Sequence, residues 1–143
     1  MANSKYAQVV DLLAAGKFNW QVHSILGVLR KDSTLDVLQK KLSDLDGTEV
    51  ARTPIQGRAL LEGGMCVGYP AFFNVVPGDT DYQMVLVQDI GNGNPNLIAW
   101  FDTNEADNPL RLDNTGTLVV RPGEPTDPLP DGMSTSARLW MKL

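Results

Sequence analysis

From Thr48 onward, glycine and proline interrupt the chain so often that no long helix fits between them. The breaks are Pro54, Gly63-Gly64, Gly68, Pro70, Pro77-Gly78, the Gly91–Asn96 loop, Pro109 and Gly116. Proline locks φ and removes a donor, while glycine opens the left-handed region that turns require. The runs between breaks are rich in β-formers. They predict strands over Thr48–Arg52, Ile55–Leu61, Met65–Phe73, Tyr82–Val87, Leu97–Asp102, Thr117–Arg121 and Ala137–Leu143, with a short pairing at Pro109–Leu112. Tyr82–Val87 and Leu97–Asp102 flank the glycine-asparagine loop as hairpin partners. Further turns are predicted at Pro77–Thr80 and Asp113–Gly116.

The first third follows another rhythm. Tyr6, Val9, Val10 and Leu13 fall on one helical face, with Asn3 or Ser4 as cap and Gly16 as stop. Val22–Arg30 reads as a strand whose two faces are both partly covered, with Gly27 marking a bulge or a close backbone approach. Leu35, Leu38, Leu42 and Leu45 recur at helical spacing, predicting a surface helix over 33–46 capped by Ser33 or Thr34 and ended by Gly47. The expected fold is therefore mainly β: an antiparallel sandwich or barrel with a short N-terminal helix and one peripheral helix. We expect one domain over 1–143, with an N-terminal helix and arm over 1–17 and a proline-rich loop over 122–133.

Composition narrows the chemistry. One His and one Cys leave no disulfide framework, no cysteine-rich zinc site and a single neutral-pH proton shuttle. The net charge of −5 has the wrong sign for nonspecific nucleic-acid binding. It is uneven: residues 1–75 carry +1 and residues 76–143 carry −6. Met1–Lys5 does not resemble a secretory signal, and no run approaches the roughly 18 apolar residues of a membrane span.

Motifs for catalysis are equally thin. Gly91-x-Gly93 lacks the third glycine and helix of a dinucleotide site, and Gly63-Gly64 lacks the Lys of a phosphate loop. An EF-hand beginning at Asp102 requires Gly at 107 and Glu at 113, where the chain has Asp. An irregular calcium site from Asp102, Asn104 and Asp107 is the remaining metal expectation. Cys66 reads as a buried structural thiol, His23 as a packed or surface residue, and no carboxylate pair stands out. Trp20, Trp100 and Trp140 lie on strands without interleaved Lys or Arg, which disfavours base stacking. Core packing is the default for these rings, and Trp140, which alternates with the apolar set of its strand, is the one with the alternative of facing a neighbour as an anchor.

Several stretches together carry a resemblance. They are the opening Met-Ala-Asn-Ser-x-Tyr, Asn19-Trp20, Gly78-Asp79-Thr80, Val85-Leu86-Val87-Gln88-Asp89, the Gly91–Asn96 loop and Leu97-Ile98-Ala99-Trp100-Phe101-Asp102-Thr103, followed by a C-terminal strand. The chain resembles small virion structural proteins of tailed bacteriophages, some of which are capsid decoration or cement proteins. Stretches 33–46 and 122–133 depart from that pattern. The resemblance implies a noncatalytic protein without cofactors, assembled in the host cytoplasm onto the capsid surface. Its partners would be the major capsid protein and copies of itself, as a dimer or trimer, with neither nucleic acid nor membrane. The contact residues expected are Tyr6, Val9, Leu13, Pro125, Leu129 and Trp140. The alternatives are a tail, neck or head-fibre component and, in another class, a carbohydrate-binding module or small hydrolase.

Overall fold

The computed structural model describes residues 3–74, 81–105, 108–111, 116–123, 125, 129 and 131–143. The turn expected over Pro77–Thr80, residues 113–115 and part of loop 122–133 lie outside them. The described chain is mainly β, with antiparallel sheets, one α-helix and no closed barrel. Strand β1 (Ser4–Lys5) leads into helix α1 (Gln8–Ala14), and β2 (Ser24–Lys31) follows. Then come β3 (Thr48–Pro54), β4 (Ala59–Leu61), β5 (Met65–Gly68) and β6 (Ala71–Asn74). Strands β7 (Tyr82–Asp89) and β8 (Asn96–Phe101) form the expected hairpin, and β9 (Thr117–Val120) and β10 (Arg138–Lys142) close the order.

Five strands form the main sheet in the order β1-β8-β7-β2-β3. Its inner strands are buried on both faces: all six residues of β8 are buried, as are most of β7. On one face Ile25, Leu29, Met84, Leu86, Ala99 and Phe101 pack with Cys66, Phe73, Leu118, Val120 and Trp140 from the smaller sheets β10-β5-β4 and β6-β9. That is the sandwich. On the other face Val28, Val85, Val87, Leu97 and Trp100 are roofed by Tyr6, Leu42 and Leu45. Gly27 permits a close approach, because a Cβ there would sit 3.0 Å from the Met84 sulfur.

The roof corrects the second helix. Residues 33–46 form an irregular strap whose regular portion is a single 3-10 turn at Leu42–Asp44. Leu42 and Leu45 point into the sheet, Leu35 is half-buried, and Leu38 is left 73% exposed. Local side-chain bonds displace the helical pattern. Asp36 Oδ1 accepts from the Leu38 N–H, and Asp44 Oδ2 accepts from the N–H groups of Lys40 and Lys41. The two ends of the strap are clasped together, as in a compact Ω-loop. Thr34 donates to both carboxylate oxygens of Asp46, at 2.8 and 2.7 Å. The buried Arg30 donates to Ser33 Oγ and to the Asp46 carbonyl, at 3.1 and 3.0 Å. Further along, Lys40 and Leu42 exchange backbone bonds with Leu97 and Pro95, tying the strap to the start of β8.

The N-terminus is also corrected. The N-cap position of α1 is Ala7, with no side-chain cap. Asn3 instead brackets the end of β8: its Oδ1 accepts from the Asp102 N–H at 3.1 Å and its Nδ2 donates to the Thr103 carbonyl. Ser4 pairs across from Trp100. In β10 a register shift between Leu139 and Met141 breaks the expected alternation, so Trp140 and Met141 are both buried. The Met65–Phe73 run divides at Tyr69-Pro70 into two strands serving different sheets.

Two outcomes follow from the clasp. A Cβ on Gly47, whose φ is +79°, would lie 2.4 Å from the Lys31 carbonyl oxygen. Gly47→Ala should therefore cost about 2 kcal/mol or more in urea unfolding. Hydrogen bonds from Thr34 hold the Asp46 carboxyl below its usual range, and the backbone N–H groups of Lys41 and Lys40 do the same for Asp44. Both carboxylates therefore contribute stability that is present above the unfolded carboxylate range and lost as pH falls through their lower folded values. The melting temperature should drop below about pH 4, and Asp46→Asn should flatten that drop.

Candidate functional site

A cluster of buried and half-buried polar groups lies where several elements end together. Strand β2 contributes Ser24 at its start with His23 just before it, β7 its end (Gln88, Asp89, then Ile90), β8 its first residue Asn96, and α1 its exit (Leu12, Gly16, Lys17). These residues line a cleft of about 400 Å³. Two of the stretches named above border it, Gln88-Asp89 at the end of β7 and Asn96 at the close of the hairpin loop.

The polar groups form one chain whose orientation is settled at both ends. Lys41 Nζ can only donate, and it donates to Asn96 Oδ1 at 2.6 Å. Asn96 Nδ2 therefore donates to Gln88 Oε1 at 3.0 Å. Gln88 Nε2 in turn donates to the Lys17 carbonyl and to His23 Nδ1, both at 2.7 Å. His23 Nδ1 also accepts from the Asn19 N–H at 3.0 Å. Two donors on Nδ1 leave the imidazole hydrogen on Nε2. Gln88 is 1% exposed and Asn96 7%, so these amides are interior groups whose bonds compensate the cost of burying them.

The turn that carries His23 is braced on every side. Asn19 Oδ1 accepts from the N–H groups of Gln21 and Val22, and Gln21 Oε1 accepts from the Leu60 N–H. Arg58 Nη1 donates to the carbonyls of Trp20 and His23, and burial lowers the guanidinium from its ordinary value. Trp20 Nε1 donates to the Val67 carbonyl at 2.9 Å, tying the turn to the opposite sheet. The imidazole is thus held in one orientation by its surroundings.

The expected site residues are scattered over the fold. Tyr6, Val9 and Trp140 lie inside the protein's own core, which corrects their expectation as surface contacts. Burial holds the Tyr6 hydroxyl protonated well beyond its usual range. Trp140 stands edge-on to Phe101 at a centroid distance of 5.2 Å and donates to the Tyr69 carbonyl. Leu13 is exposed, and Pro125 and Leu129 are half-buried. Of the calcium set, Asn104 is a structural bracket: its Oδ1 accepts from the Arg121 N–H and its Nδ2 donates to the Val119 carbonyl. Asp107 lies outside the described residues. Among the described residues, no three His, Cys, Asp or Glu side chains gather as a metal set. Cys66 is buried, and desolvation pushes its thiol up to about 12, where it is unreactive at neutral pH.

No motif in the sequence marks Gln88 or Asn96 as site residues, and His23 stands in it as a lone histidine without a partner in sequence. The signal was present in part: Gln88 interrupts the apolar run Val85-Leu86-Val87, which marks a polar group inside a buried strand. No protein-family model, curated protein or solved structure matches the chain. Among the described residues, no helix is long and apolar enough to cross a membrane.

The burial of Trp140 has a direct consequence. Trp140→Ala should destabilise the isolated protein by about 3–5 kcal/mol, measured by urea denaturation. An anchor facing a partner would leave the isolated chain nearly unchanged.

Proposed function

We propose that this chain is a noncatalytic virion structural protein of a tailed bacteriophage, of the capsid decoration type. In this reading it docks on the major capsid protein and stabilises the shell from outside. The observation that carries the reading is an apolar surface on the N-terminal side of the molecule. Helix α1 turns Val9 inward, but it leaves Val10 66% exposed and Leu13 also at the surface. The strap adds Val37 and Leu38 at the surface, and the Ala7 N–H just before the helix donates to the Val37 carbonyl at 2.8 Å.

The N-terminal helix is where the resemblance leads one to expect contact, with Val10 and Leu13 as the outward residues. Apolar side chains gathered at a surface are a common mark of protein contact. A modest patch suffices on a lattice, because symmetry repeats each weak contact many times. The net charge of −6 over residues 76–143 supplies an acidic excess for orienting the protein on its partner.

The carbohydrate-binding alternative depends on rows of exposed aromatic rings. Trp20, Trp100 and Trp140 are all buried, and Phe72 is the large aromatic left well exposed among the described residues. Decoration of a protein lattice accounts for more of this surface.

The test is electron microscopy of phage particles assembled with and without the protein, beside a Val10→Asp/Leu13→Asp variant shown to fold by circular dichroism. Density should cover the capsid surface only with the unaltered protein, at hundreds of copies per particle. The variant should bind shells at least ten-fold more weakly. Particles that keep full shell stability and lose no surface density without the protein would overturn the reading.

A further inference from the structure

The cleft at the end of the main sheet is more elaborately built than packing requires. Its walls are of two kinds. Leu12, Gly16 and Ile90 supply an apolar lining, and Ile90 is 47% exposed although it borders the cleft. Lys17, His23, Ser24 and Asn96 supply donors.

The donors at this cleft are not all used by the protein. The hydrogen-bond chain from Lys41 to His23 leaves the His23 Nε2–H without an acceptor among the described residues. It also leaves the second Asn96 amide hydrogen unassigned, since the first goes to Gln88. The Lys17 ammonium has no carboxylate partner among the described residues, although its carbonyl is held by Gln88. Asp89 borders the same cleft, but its Oδ1 accepts from the Gly91 N–H in the following turn. What the cleft offers is therefore the Lys17 cation, the Asp89 carboxylate and neutral donors beside an aliphatic wall.

Such a set selects its ligand by charge and by shape. An anion satisfies the Lys17 ammonium and the His23 Nε2–H together, through charge-assisted hydrogen bonds. A single negative charge matches it best, because Asp89 and, farther along the helix, Asp11 repel a more highly charged group. The apolar wall requires that the anion carry hydrocarbon. A volume of about 400 Å³ lies at the small end of ligand sites, which are mostly apolar with a few placed polar groups.

We propose that this cleft binds a small amphiphilic carboxylate, with its anionic end at Lys17 and His23 Nε2 and its hydrocarbon against Leu12 and Ile90. The buried Gln88 and Asn96 amides act as positioning residues. They hold the imidazole so that Nε2, not Nδ1, carries the hydrogen facing the anion. This site is separate from the exposed Val10 and Leu38, and its test does not depend on any assembly role.

The experiment is an amide-detected NMR titration of the full chain with sodium hexanoate, with hexan-1-ol and hexylamine as charge controls. Hexanoate should give saturable shifts at the Gln88 and Asn96 side-chain amides and at the backbone of Gly16 and His23, with a Kd of about 1 mM or tighter. Hexan-1-ol should bind about ten-fold more weakly, a difference of about 1.4 kcal/mol, and hexylamine should not bind. The key variant is Lys17→Met, which keeps the backbone carbonyl that Gln88 uses and removes only an exposed charge. It should weaken hexanoate at least five-fold and leave hexan-1-ol unchanged. Non-saturating shifts, equal responses to hexanoate and hexylamine, or an unaltered hexanoate affinity in Lys17→Met would each overturn the proposal.

Discussion

The inner strands of the main sheet carry apolar side chains on both faces, and that constraint organises everything attached to it. Strands β2 and β7 pair along eight residues, from Ser24 opposite Asp89 to Lys31 opposite Tyr82. Val28 and Val85 face one way while Leu29 and Met84 face the other. Leaving either face wet would expose several large side chains, each worth about 1.5–3 kcal/mol when buried. A sandwich partner covers one face. The second face needs a separate cover, and no further sheet among the described residues supplies it. The strap and Tyr6 meet that need.

This explains why the leucine spacing of 33–46 misled. Leu35, Leu38, Leu42 and Leu45 match a helical stripe in sequence, but the requirement is to place two leucines over a flat sheet while both ends return to neighbouring positions. An extended strap clasped by Arg30, Ser33, Thr34 and Asp46 satisfies it. Asp36, Asp44 and Asp46 supply local acceptors that favour turns over helix. Local periodicity could not register this competition, because most of the sheet face that decides it comes from residues 82–101.

The same non-local logic governs the candidate sites. His23 was visible as a lone histidine beside a tryptophan, and Gln88 as a polar residue in an apolar run. Nothing in the spacing joins these residues: His23 and Gln88 are 65 positions apart, and Lys41 and Asn96 are 55. Tyr6, Val9 and Trp140 failed as contact residues for a related reason. Apolar residues on one face of an element look alike whether their cover is internal or external. In β10 the register shift at Leu139–Met141 then moved Trp140 inward, against the alternation that pointed it elsewhere.

The sequence by itself determined the mainly β class, the hairpin of β7 and β8, the short N-terminal helix and the C-terminal strand. Those properties follow from turn residues and β-forming runs that act within a few positions of one another. Only the tertiary structure decided which leucines are buried, where Trp140 points, and that His23, Gln88, Asn96 and Lys41 share one hydrogen-bonded chain. Each of those outcomes depends on which strands become neighbours, and pairing partners far apart in sequence leave no local trace.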